Sequence, residues 1–108
     1  MRSSVGEMFA VATEQLLSED PEVEQGRMFR AGGLKTRGKF FALVVDGELV
    51  VKLPAERVDE LVAAGAHRFE AGGRSVREWV RLQPADEAAC RATVSEARDF
   101  VARGGGIT

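Results

Sequence analysis

The sequence has one cysteine, one histidine, one tryptophan and no excess of positive charge, and each shortage excludes something. A lone Cys90 cannot form an intrachain disulfide, so a reducing, cytoplasmic setting is expected. With one histidine and one cysteine, a metal centre would have to draw most of its ligands from carboxylates. No metal or cofactor is therefore expected. Fifteen basic against 17 acidic side chains leave a net charge of −2, which gives the whole chain no electrostatic drive toward nucleic acid or anionic lipid. No apolar run approaches the roughly 20 residues needed to span a bilayer, and the first residues lack the apolar stretch of a secretory signal. No contact with a membrane is expected.

What is present is an ordinary globular composition, 44% apolar and 30% charged over 108 residues, enough for one domain with one core. Val5, Met8, Phe9, Ala12 and Leu16 recur at helical spacing, with Ser3 or Ser4 as cap and Pro21 as a limit. A short strand is expected over 26–31, broken at Gly32-Gly33 by a turn or a bulge. Lys39 to Val45 and Glu48 to Leu53 are rich in strand formers, and Asp46-Gly47 between them predicts a tight hairpin. Pro54 starts a second helix, with Val58, Leu61 and Val62 facing inward. A weak strand at 67–70 pairs with 76–82, and Asp86 caps a last helix lined by Cys90, Val94, Ala97 and Val101. The expected fold is α+β in two layers, α-β(3)-α-β(2)-α, with an antiparallel five-stranded sheet. Residues 1–103 form the domain, and 104–108 form a flexible glycine-rich tail.

Within this pattern, Arg27-Met28-Phe29, Gly32-Gly33, the run from Gly38 to Leu53 and the run from Phe69 to Val80 resemble the N-terminal domain of the TfoX/Sxy family. These are structural strands and turns rather than a catalytic signature. The resemblance implies the same order of elements, shared with YjbR-like proteins and type III secretion chaperones. It further implies a relation to regulators of natural competence, whose full-length members carry a second, helical C-terminal domain. It supplies no catalytic residue.

Three groups of residues carry functional alternatives. His67 and Cys90 would make a nucleophilic pair only if they met in space, and Cys90 on an apolar helix stripe reads as core filler. Gly32-Gly33 near Lys35 lacks the Gly-Lys-Ser/Thr ending of a phosphate loop. Arg27, Arg30, Lys35, Arg37 and Lys39 form an acid-free window facing an acidic cluster at Glu14, Glu19, Asp20, Glu22 and Glu24. That window is either a surface balanced within the molecule or a docking site for an acidic protein or a nucleic-acid backbone.

On the strands, Phe40, Ala42, Val44 and Val50 are expected to share an apolar second face, and Arg77, Trp79 and Arg81 alternate along the last strand. Phe40, Val44, Val50, Arg77, Trp79 and Arg81 are the candidate interface, and a homodimer covering that face is expected. The expected function is a non-catalytic protein-interaction or regulatory module. The alternative is a nucleic-acid-associated regulatory domain using the 27–39 segment, and an enzyme ranks last.

Overall fold

The computed structural model describes residues 4–28, 31–71 and 74–104. The chain runs α1 (Val5–Glu19), β1 (Val23–Met28), β2 (Ala31–Thr36), β3 (Lys39–Val45), β4 (Glu48–Lys52), α2 (Ala55–Ala63), β5 (His67–Ala71), β6 (Arg74–Leu82) and α3 (Glu87–Ala102). All strands join one antiparallel sheet in the order β1-β2-β3-β4-β6-β5. The α+β class and the antiparallel sheet stand as expected, with six strands in place of five.

Local chemistry sets the helix ends. Ser4 and Glu7 form a reciprocal capping box on α1: the Ser4 hydroxyl accepts from the Glu7 N–H, and the Glu7 carboxylate accepts from the Ser4 N–H. Such a cap stabilises a helix by about 1 kcal/mol. Asp86 caps α3 by accepting from the Ala89 N–H at 2.8 Å. The expected stripes are the buried ones: Met8, Phe9, Ala12 and Leu16 on α1, and Cys90, Val94, Ala97 and Val101 on α3. They share one core with Val58 of α2 and with Leu34, Phe41, Ala42, Leu49, Val51 and Val80 of the sheet. One sheet face thus carries all three helices.

Two tight turns shape the middle of the sheet. Asp46 and Gly47 both have positive φ, 52° and 78°, as the hairpin signal requires. Arg37 and Gly38 repeat this geometry at 54° and 79° and join β2 to β3. This second turn is the source of the additional strand.

The expected turn at Gly32-Gly33 is a correction, because both glycines lie inside β2. Packing explains Gly33: a Cβ there would stand 2.8 Å from the Ala42 carbonyl oxygen and 3.0 Å from the Leu43 Cβ. A Cβ at Gly26, its cross-strand partner, would meet the Phe40 ring at 3.0 Å. Phe40 therefore lies over two glycines. Of the strand expected over 26–31, residues 29 and 30 lie outside the described set, as do residues 105–108 of the expected tail.

A β-bulge corrects the faces. Leu34 pairs with Ala42 but Lys35 pairs with Phe40, which leaves Phe41 as an extra residue on β3. Phe41 and Ala42 both enter the core, and Val44, paired with Leu49, packs against that core as well. Val44 and Ala42 are thus not on the second face, because the bulge shifts the alternation by one residue. Leu43 takes their place there, opposite Val50.

Candidate functional site

The register assigns the face without helices row by row. One row holds Glu24 of β1, Lys35 of β2 and Phe40 of β3. Lys52 of β4 and Trp79 of β6 pair at the same end of the sheet. The next row holds Gly26, Gly33, Leu43, Val50, Arg81 and His67. Arg77 follows Trp79 at strand alternation, so the arginine, tryptophan and second arginine of β6 share this face.

This face is closed without being greasy. Leu43 and Val50 are 0% and 1% exposed although neither belongs to the helix-covered core. Arg81 stands beside Val50 in the same row, and the adjacent row holds Lys35, Phe40, Lys52 and Trp79, side chains long enough to cover apolar surface while charged heads stay in water. Lys35 Nζ stands 5.8 Å from the centre of the Phe40 ring, and Lys52 Nζ 5.9 Å from the centre of the Trp79 ring. At such half-exposed positions a cation over a ring stabilises by about 0.5–1 kcal/mol. Arg81 donates to Glu48 at 2.6 Å, and Phe69 tilts against Trp79 with ring centres 6.4 Å apart. Among the described residues, Leu17 on α1 is the one exposed large apolar side chain. The apolar patch that motivated a covering second copy is hidden by the chain's own side chains.

The basic window does not form one patch. Lys35 lies on the open face, whereas Arg27, paired with Gly32, lines a groove against Gly6, Phe9 and Ala10 of α1. Arg37 occupies the β2–β3 turn and pairs with Glu22 at 3.3 Å. Lys39 starts β3 opposite Thr36. Arg30 lies outside the described residues. Two residues of the facing acidic cluster are answered from α3: Arg91 pairs with Glu19 at 2.7 Å and also donates to Gln15, and Arg98 pairs with Asp20 at 3.3 Å.

His67 and Cys90 do not meet. His67 is exposed in the same row as Arg81 on the open face, while Cys90 is fully buried among the helix-side core residues. Burial, with Glu87 adding to it, pushes the Cys90 thiol above its usual range, the opposite of an activated nucleophile. Among the described residues no cluster of histidine, cysteine and carboxylates has the make-up of a metal site.

Sequence reasoning missed Lys52 as a member of the surface. Its signal was available: strand alternation from the buried Val51 and Leu53 turns it to the face of Val50. Lys35, expected as part of a linear basic run, is placed by the register on the open face.

Charge divides between the layers. The three helices carry nine acidic and three basic residues, and the six strands carry eight basic and four acidic ones. A helix-backed antiparallel sheet with a basic, side-chain-covered free face is the class of domain that fold and surface together define. The chain belongs to the TfoX N-terminal domain family, whose model matches residues 15–101. No curated protein and no solved structure matched it. No helix among the described residues is long and apolar enough to cross a membrane.

Proposed function

We propose that the domain is a non-catalytic, cytoplasmic interaction module that works by docking a protein partner in a regulatory setting. The make-up of the open face carries this reading: Lys35, Lys52, Arg77 and Arg81 stand there against Glu24 and Glu48, which leaves a small domain one surface with a positive excess. The separation of His67 from Cys90 and the raised thiol support the non-catalytic half. Nucleic-acid binding through the 27–39 segment is not favoured, since those cations are spread over two faces and a turn. Pairing two copies through the open face is not favoured either. Two-fold symmetry would bring Lys35, Lys52 and Arg77 against the same cations of the other copy.

Photo-crosslinking residues introduced singly at exposed positions of each layer, in cells, test the proposal. A recurring polypeptide adduct from at least one layer is expected. Recovery of nucleic acid alone, or of no adduct from any position, would refute it.

A further inference from the structure

We infer that the open sheet face docks an acidic polypeptide segment, held by Lys35, Lys52 and Arg77 around the rings of Phe40 and Trp79. The inference rests on the interaction-module reading and names its surface and its partner's chemistry.

The argument begins with which cations have charge to spare. Of the basic residues on the strands, Arg81 is held by Glu48 and Arg68 by Asp59. Lys35, Lys52 and Arg77 have no ion pair with another described residue. Glu24 stands opposite Lys35 in the register without closing a bridge. The amines of Lys35 and Lys52 are parked over rings instead, and the strands that carry them, β2 and β4, run about 10 Å apart.

A depression of about 290 Å³ lies at the end of β4, lined from the open face by Lys52, Arg77 and Trp79 and from the helix side by Ala55, Val76 and Glu78. Its rim carries two cations and the edge of a half-buried tryptophan, a composition common at interface anchors. Its one carboxylate, Glu78, enters from the helix side, so the open-face part of the rim is cationic and aromatic.

The occupant follows from charge and from area. A second copy would meet like charge, as above. A nucleic-acid strand offers a continuous row of phosphates, and proteins that track one are strongly basic, whereas this chain has a net charge of −2 and its helical layer is acidic. Three available cations match a few spaced carboxylates better than a polyanion. Because Leu43 and Val50 are already buried, the face has no deep apolar socket, which fits a segment led by charge with small apolar or aromatic contacts at the rings.

The only tryptophan of the chain lies in this surface, so its emission reports occupancy. The probes are a glutamate-rich peptide of about a dozen residues, its glutamine counterpart, and oligothymidylate, each titrated at low and at physiological salt. Saturable change of Trp79 emission is expected with the glutamate peptide alone, weakening as salt rises. Lys52→Glu is expected to weaken binding at least tenfold. Lys39→Glu makes the same charge change outside this surface and is expected to alter binding less than twofold. Circular dichroism confirms that each variant is folded, and Lys35→Glu serves in place of Lys52→Glu if the latter does not fold.

Saturable binding of oligothymidylate with none of the peptide would overturn the inference in favour of a nucleic-acid platform. Equal effects of Lys39→Glu and Lys52→Glu, or no response to the glutamate peptide at low salt, would overturn the surface. Polypeptide adducts from the helical layer would then keep the module reading alive, and their absence from both layers would end that too.

Discussion

Replacing Gly33 by alanine puts a methyl carbon 2.8 Å from the carbonyl oxygen of Ala42 and 3.0 Å from Cβ of Leu43, inside the sheet where neither neighbour can swing away. Overpacking of this kind costs about 1–3 kcal/mol. Restricting the unfolded chain returns about 0.4–1 kcal/mol. A net loss of about 1–2 kcal/mol follows. Gly32, one residue earlier in the same strand, has nothing within 4 Å of the same position and no positive φ. There alanine has only the gain, about 0.5–1 kcal/mol for removing a glycine from a strand. For a domain near 100 residues, 1 kcal/mol moves the melting temperature by about 4–8 °C. Calorimetry on the two variants should show shifts of opposite sign, Gly32→Ala up and Gly33→Ala down. Shifts of the same sign would refute the placement of Gly33 tight against β3 and of Gly32 facing open space in the same strand.

Leu43→Ala should destabilise by about 2–4 kcal/mol in urea titrations, as a fully buried leucine does, although no helix packs on its face. Light scattering of the purified chain should show a monomer at low salt, where repulsion between the cations of two open faces is least screened, and a stable dimer there would count against the like-charge argument. The buried Cys90 thiol should resist a disulfide reagent at neutral pH until urea unfolds the chain. Its pKa is raised on folding, so the folded state keeps its proton longer. Stability should be constant below the thiol's unfolded pKa and fall as pH rises from there toward the folded one, a decline that a Cys90→Ala variant lacks in thermal melts across alkaline pH.

The helices were legible because a buried stripe repeats every turn, and nothing in α1 or α3 interferes with the reading. The Asp46-Gly47 hairpin was legible because both positions need positive φ and the residues announce it. Arg37-Gly38 makes the same turn with half the signal: glycine is present, but an arginine at φ 54° is not a residue one expects there. Gly32-Gly33 misled for a physical reason, since glycine is needed either where the chain must turn or where another atom must come close. Local sequence does not distinguish the two. The bulge at Phe41 was invisible for a similar reason, because one extra residue among Phe40, Phe41 and Ala42 leaves an apolar run unchanged while exchanging its faces.

That exchange decides what the open face is. Had the alternation run unbroken, Ala42 and Val44 would stand on it beside Val50, and a second copy of the chain would be the natural cover. With Phe41 pushed into the core, the β3 residues left there are Phe40, Leu43 and Val45, of which Leu43 is sealed and Phe40 lies beneath a lysine. An apolar contact surface becomes a charged one through a single irregular pairing between Leu34 and Lys35. Charge on a free face selects partners by sign and by salt, where an apolar face selects by area alone. On the docking proposal, a two-fold copy would meet its own cations, and an acidic helical layer disfavours polyanions of high density. The proposed occupant, a sparse set of carboxylates on a polypeptide, is the one that this arrangement of charge favours.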